Sequence, residues 1–260
     1  MIKEIYIYRK YLSGAFWADL RYRYAGTALG FFWFFLVPLF ETAIYAVVFT
    51  NIIPARTGGK TGLAYTVFLV SGLFPWLTFS QMISRGSNAI NSNSIYIRRS
   101  LIPINVFIFK DALISLFTFL IYLVFIVVIS IIANNPIRIT AILIPFLAIM
   151  ITLLGYGISI SLAYLRVMFP DIGEIIMVAL QLWRWTLPIM YSDDTFPGWL
   201  QKILRLNPPY YFIRSFRDVL LNDVFPSWQA WAVMFFWLIL FFMIGSFVAR
   251  KLHDEVKDLL

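Results

Sequence analysis

The sequence contains no cysteine and only one histidine, His253, in 260 residues. Without cysteine the chain cannot form a disulfide, a thiolate metal site or a cysteine nucleophile. The single histidine excludes a histidine pair for a metal ion, and its place in a charged C-terminal tail argues against a histidine-activated serine. We therefore expect no catalytic residue, no metal ion and no cofactor in this chain.

Charged residues are also scarce, at 13% of the chain, whereas hydrophobic residues make up 61%. A soluble globular domain has about 45–50% apolar residues, so this chain has more apolar surface than one core can bury. We expect the remaining apolar surface to face lipid. The net charge of +8 does not indicate nucleic-acid binding, because the basic residues lie between long apolar segments rather than in one polar run.

Six apolar segments reach the length of about 20 residues that a membrane-spanning helix needs. They are predicted over residues 28–52, 63–83, 112–133, 139–165, 172–191 and 229–249. The fifth is the weakest of the six because it contains Glu174 and Arg184. We predict an all-α, polytopic membrane protein with a single transmembrane domain over residues 1–260.

Lysine and arginine are distributed unevenly around these segments, with more of them on the side that carries both termini. Cytoplasmic loops of membrane proteins are enriched in these residues. Both termini, the loop at residues 84–110 and the tail at residues 250–260 are therefore predicted to be cytoplasmic.

Three further segments are predicted not to span the membrane. Residues 1–27 have apolar positions at helical spacing and favour an amphipathic helix along the membrane surface. Residues 84–110 are polar and longer than a turn requires, which favours docking of a partner. Residues 192–228 contain two apolar stripes, predicting two short outer-side helices that lie in the interface or re-enter the bilayer, with Arg214 and Asp218 as a candidate i,i+4 pair.

Two ionisable residues, Glu41 and Arg184, lie inside predicted spans. An ionisable group at mid-bilayer costs at least about 2.5–3.5 kcal/mol and normally faces protein or water. We expect Glu41 to take part in a polar pathway or an interhelical hydrogen bond. For Arg184, a place in the pathway and an anchor in the headgroups are equally compatible with the sequence.

Aromatic residues near the span ends either form interfacial belts or line a path for a sugar, because aromatic faces stack on the apolar faces of sugar rings. The candidates for the path, in addition to Glu41 and Arg184, are Phe32, Phe35, Tyr45, Trp183, Trp185 and Tyr191.

The segment PARTGGKT at residues 54–61 is similar to the end of a phosphate-binding loop. Pro54 stands where that motif requires its first glycine. We expect a connector here and no nucleotide site.

Three blocks of the sequence are informative together: YRYAGTALGFFWFFLVPLFETAIYAVVF at 22–49, YLRVMFPDIGEII at 164–176, and LPIMYSDDTFPGWLQKILRLNPPYYFIRSFRDVLL at 187–221. They resemble the type-2 ATP-binding-cassette export permeases, in particular those that move O-antigen, capsule or teichoic-acid polysaccharides out of bacteria. The second block departs from the family pattern, because Arg166 and Asp171 are not adjacent.

The resemblance implies a homodimer of six-helix subunits in the bacterial cytoplasmic membrane, with two copies of a separate cytoplasmic ATPase that binds ATP and magnesium. It also implies an N-terminal interface helix, a coupling helix between spans two and three, and gate helices before span six. The implied function is ATP-driven export of a glycan linked to a polyprenyl diphosphate, with no reaction in this chain.

Residues for two of these roles follow from the resemblance. Coupling to the ATPase is expected at Asn88, Asn91, Tyr96, Arg98 and Arg99. Reception of the anionic lipid headgroup is expected at Arg21 and Arg23 of the N-terminal helix, together with Arg98 and Arg99.

Three alternatives stay open at this point. An exporter of drugs or small lipids would share the topology and differ in conduit width. A passive channel would need no ATPase, and an intramembrane hydrolase would need a polar constellation inside the spans, where Ser159 and Ser161 have no histidine partner.

Overall fold

A computed structural model of the protein describes residues 2–22, 27, 29–48, 62–135, 138–193 and 196–260. Every regular element within these ranges is helical. The α-helices are α1 Ile2–Ile7, α2 Arg9–Tyr22, α3 Trp33–Val47, α4 Gly62–Ser87, α5 Ala89–Ser92, α6 Ser94–Arg99, α7 Ile104–Ile132, α8 Ile144–Met168, α9 Ile172–Trp185, α10 Gly198–Leu204, α11 Tyr210–Arg217 and α12 Trp228–Leu259.

Four helical segments are long and apolar enough to cross a membrane: Gly62–Ser87, Ile104–Ile132, Ile139–Met168 and Trp228–Leu259. They correspond to the second, third, fourth and sixth predicted spans. The helices α4, α7 and α8 form the centre of the bundle, and α12 packs against α8. Their bounds differ from the prediction mainly where a helix continues past its apolar stretch. Thus α7 begins at Ile104, directly after Pro103, and α12 continues to Leu259 through the charged tail.

The helices at the first and fifth predicted spans are shorter. Helix α3 has 15 residues and α9 has 14, against the roughly 20 that a span requires. The prediction that the fifth helix continues to Tyr191 was wrong, because Pro188 disfavours helical backbone at the residue before it. The count of six spans therefore stays a prediction. Residues 28 and 49–52 of the first predicted span and the segment at residues 54–61 lie outside the described residues.

Both termini lie at one end of the bundle, here called the termini end (residues 2–8, 88–103 and 250–260). The hydroxyl of Tyr8 donates to the carbonyl of Leu101 at 3.2 Å. A cavity of about 730 Å³ is lined jointly by Glu4, Leu101 and Asp254. The predicted placement of both termini with the loop at residues 84–110 on one side is therefore consistent with the fold.

The opposite end, here called the far end (residues 133–135, 138–143, 187–193 and 196–228), carries the two short helices expected before the last span. Helices α10 and α11 are present there, separated at Pro208 and Pro209. The hydroxyl of Thr140 donates to the carbonyl of Val219 at 2.9 Å, which ties the turn before α8 to the segment after α11.

Helices α8 and α12 approach each other closely at two glycines. A Cβ on Gly245 would lie 2.7 Å from the carbonyl oxygen of Gly157, and a Cβ on Gly157 would lie 3.2 Å from the backbone nitrogen of Phe242. Small residues let helix backbones in a membrane approach in this way. The contact fixes α12 against the centre of the bundle.

We predict that Gly245→Ala destabilises the protein by about 1–3 kcal/mol, because the new methyl group meets a backbone atom that can move only with its helix. Thermal unfolding in detergent measures the loss. The matched control is Gly14→Ala on α2, where nothing lies within 4 Å of the added Cβ. Equal midpoints for the two variants would contradict the close crossing.

Candidate functional site

An ion pair joins the two short helices α3 and α9. Nη1 of Arg184 donates to Oε1 of Glu41 at 2.8 Å, and the side chains are 21% and 23% exposed, respectively. The ring of Tyr45, one turn along α3, lies 5.6 Å from the guanidinium carbon. The sequence left the partner of Glu41 open, and the structure supplies it as Arg184.

The ion pair uses Nη1 of Arg184 and, within the described part of the chain, leaves its Nε unpaired. Its Nε is buried and has no hydrogen-bond partner among the residues that the structure describes. A buried donor without a partner costs about 1–3 kcal/mol, so a sugar hydroxyl or an anionic group that reached it would be stabilised. Nε is enclosed in this structure, so a ligand would reach it only after the groups around it move.

Trp183 connects the end of α9 to the far end. Its Nε1 donates to Oδ1 of Asn207 at 2.8 Å, and the amide of Asn207 donates to the hydroxyl of Thr186 at 3.0 Å. The indole also meets the rings of Phe79 and Trp76 edge-on. The side chain of Trp183 is half-buried, with a hydrogen bond to Asn207 on one side and ring contacts to α4 on the other.

The other aromatic residues predicted for the path occupy different environments. Phe32 and Trp185 are 68% and 54% exposed, whereas Phe35 packs against Phe125. Tyr191 is buried, and its hydroxyl donates to the carbonyl of Trp185 at 2.6 Å. The structure therefore brings Glu41, Tyr45 and Arg184 together, and it places Tyr191 in the packed core.

Arg217 is a buried cation that the sequence reasoning missed. It is 7% exposed, its Nη2 donates to the carbonyl of Ile189 at 2.7 Å, and its guanidinium lies 3.8 Å from the ring centroid of Phe68. Its burial could have been predicted from the spacing, because Arg217 is four residues after Ile213 and so lies on the apolar stripe of α11. It holds α11 against α4 and the non-helical segment after α9.

Next to it, Tyr210 and Asp193 join the start of α11 to the same segment. The Tyr210 hydroxyl donates to Oδ2 of Asp193 at 2.6 Å, and burial, followed by this hydrogen bond, raises the pKa of Tyr210. Arg214 contacts both groups, at 3.2 Å from the Tyr210 hydroxyl and 3.8 Å from Asp193. The cation that sequence spacing paired with Asp218 therefore faces Asp193, while Asp218 accepts from Asn222.

At the termini end, the predicted coupling residues lie on α5, α6 and the turn before them. Tyr96 is 64% exposed, and Asn91, Arg98 and Arg99 are exposed as well, whereas Asn88 is partly buried. Ile97 is buried and fixes α6 to the bundle. Helix α6 therefore exposes Tyr96, Arg98 and Arg99 while its buried residue Ile97 packs against the bundle.

A chain of charges that the sequence reasoning also missed lies beneath this segment. Nη2 of Arg85 lies 3.0 Å from Oδ2 of Asp19 and 3.1 Å from Oδ1 of Asp111, and Nζ of Lys110 lies 3.0 Å from Oδ2 of Asp19. These contacts bind α2 to α4 and α7. Of the residues predicted for headgroup reception, Arg21 is exposed near the end of α2, and Arg23 lies outside the described residues.

Comparison with known proteins adds a family and named relatives. The profile of the ABC-2 type transporter family matches residues 13–221. The O-antigen export system permease protein RfbA of Klebsiella pneumoniae is 26% identical over 243 residues, which is 93% of this chain and 92% of that protein. RfbA of Myxococcus xanthus is 24% identical, covering 87% of this chain and 86% of its own length. The polysialic acid transport protein KpsM of Escherichia coli is 24% identical, covering 95% and 93%.

We predict that Glu41 and Arg184 are energetically coupled. Glu41→Gln and Arg184→Gln should each lower the free energy of unfolding, because each leaves the partner's charge partly buried and unpaired. The double variant should lose less than the sum of the single losses, by about 0.5–3 kcal/mol. The free energy of unfolding is measured in detergent micelles for the wild type, the two single variants and the double variant. Strictly additive losses would argue that the pair does not form.

We predict that Arg217→Met loosens the contact between α11 and the segment at residues 187–191. The variant removes the hydrogen bond to Ile189, so amide hydrogen exchange in these residues should accelerate by about tenfold. Arg205→Met, which removes an exposed cation between α10 and α11, is the control and should exchange at the wild-type rate. Equal rates for the two variants would contradict the anchoring role of Arg217.

Proposed function

This chain belongs to the ABC-2 type transporter family, and we propose from that premise that it is the permease subunit of a bacterial ATP-driven transporter that exports a polysaccharide. The observation that carries the proposal is near full-length similarity to permeases named for O-antigen export and polysialic acid transport. Those names favour a polysaccharide over a drug or a small lipid as the cargo. The bacterial inner membrane is the location that such a transporter implies.

The energy comes from a separate ATPase that docks on α5 and α6. Ile95 and Tyr96 are each 64% exposed beside the basic pair Arg98 and Arg99, while Ile97 anchors the helix. An exposed aromatic residue on a fixed base is typical of the few residues that dominate a protein interface. In this arrangement the termini end is cytoplasmic.

Residues 88–99, which include α5, α6 and the residue before them, are called the docking segment. Movement of this segment is transmitted to the far end through α4. At its termini end α4 carries Arg85, which contacts Asp19 and Asp111. At its far end the Tyr65 hydroxyl donates to the carbonyl of Met190 at 2.8 Å. Because a packed helix moves as a rigid element, a tilt of α4 under the ATPase displaces the segment that Arg217 also holds.

The path for the glycan runs along the exposed faces of α3 and α9, where two copies of the chain meet. Glu41, Arg184 and Tyr45 supply polar and aromatic contacts on this side, and Phe32 and Trp185 extend it. The exported glycan is carried on a lipid with an anionic head, which the exposed cations Arg21, Arg98 and Arg99, together with Arg23, attract at the membrane surface.

The experiment is co-purification with the ATPase and polysaccharide export in cells. Tyr96→Ala should reduce the amount of ATPase that co-purifies, and polysaccharide on the cell surface, by about tenfold or more, because an interface anchor is lost. Trp199→Ala removes an aromatic residue of similar exposure at the far end and should leave co-purification unchanged. ATPase capture that survives in Tyr96→Ala would place the docking surface elsewhere, and wild-type cells without surface polysaccharide export would refute the function.

A further inference from the structure

A polar cavity of about 410 Å³ lies at the termini end, beneath α5. Its walls come from α2, α4, α5, α7, the last turn of α8 and the first turn of α9. Its volume is within the range of about 300–1,000 Å³ that small-molecule sites occupy. It is separate from the site formed by Glu41 and Arg184.

The charges that line the cavity do not cancel. Arg85, Lys110 and Arg166 face two carboxylates, Asp19 and Asp111. Both carboxylates are already engaged, Asp19 by Arg85 and Lys110, and Asp111 by Arg85. The lining therefore has one cation more than it has anions.

Arg166 is the cation without a carboxylate. Within the part of the chain that the structure describes, no acidic oxygen lies within 4 Å of its side-chain nitrogens. The guanidinium lies against Gly173, where a Cβ would be 2.6 Å from Nη2. The absence of a side chain at residue 173 leaves room for the guanidinium at the cavity wall.

A half-buried guanidinium that is not paired, with a second guanidinium and an ammonium group in the same cavity, suits an oxyanion with several acceptor oxygens. Arg binds phosphate through two parallel hydrogen bonds, and Lys adds a point charge. The side-chain amide of Asn88, which also lines the cavity, can donate further. A carboxylate ligand would use fewer of these donors than a phosphate or a diphosphate.

We propose that this cavity binds the phosphate or diphosphate group of a membrane lipid, with Arg166 as its principal contact. The identity of that lipid as the carrier of the exported glycan rests on the proposed function, whereas the site itself does not. Because Asn88 and Ser92 of the cavity wall belong to the docking segment, an occupied cavity contacts the surface on which the ATPase sits. Loading of the lipid is thereby linked to the ATPase.

The test is lipid binding by the complete complex of permease and ATPase in dodecyl maltoside, with saturating ADP on the ATPase. Farnesyl diphosphate and phosphatidylglycerol are titrated separately, and the tighter ligand identifies the source of the phosphate. Arg166→Gln should weaken binding of that ligand by at least about tenfold, the equivalent of one hydrogen bond to a charged group. Arg166→Lys keeps the charge and loses the two parallel hydrogen bonds of a guanidinium. Its affinity for the ligand should fall between those of the wild type and Arg166→Gln.

Two further variants separate the cavity from general surface charge. Gly173→Ala should also weaken binding, because the added methyl group displaces the guanidinium of Arg166. Lys251→Gln removes an exposed cation at the same end outside the cavity and should bind as wild type does. Unchanged binding in Arg166→Gln, or no binding of either lipid by the wild-type complex, would overturn the proposal.

The two hypotheses fail separately. If wild-type cells export polysaccharide while the purified complex binds neither lipid, this inference is wrong and the proposed function stands. If the complex binds a phosphate lipid through Arg166 while cells export no polysaccharide, the proposed function is wrong and the site stands.

Discussion

Hydrocarbon offers no hydrogen bonds, so a charged side chain inside the bundle is stabilised when the chain itself supplies its partner. That need for a partner explains the principal polar contacts of the structure. Glu41 and Arg184 satisfy each other across two short helices, and Arg217 uses a carbonyl group and an aromatic ring. Separating either set would leave a charge without its partner, so these contacts oppose independent movement of the helices that they join.

The sequence predicted the parts of the fold that depend on composition along the chain. Long apolar segments identified the four long helices, and the apolar stripes before the last span identified α10 and α11. The end of α9 was predictable in principle, since Pro188 disfavours helix at the residue before it. Treating residues 172–191 as one apolar run overlooked that local signal.

Contacts between distant residues could not be predicted in the same way. Glu41 and Arg184 are 143 positions apart, and no periodicity relates them. The charges at Asp19, Arg85 and Asp111 lie on three different helices, each of which reads as amphipathic or apolar by itself. Only the packing of α2, α4 and α7 brings those charges together. Hydropathy thus identifies the elements, whereas the polar partners are a property of the assembled bundle.

The shortness of α9 has a consequence for the membrane around the protein. Fourteen residues of α-helix extend about 21 Å, whereas the hydrocarbon layer is about 30 Å thick. A bilayer adjusts to a short apolar helix by thinning beside it, which is hydrophobic mismatch. Lipids that border α9 would therefore be compressed, and the hydrocarbon layer there would be thinner than beside α7, which has 29 residues.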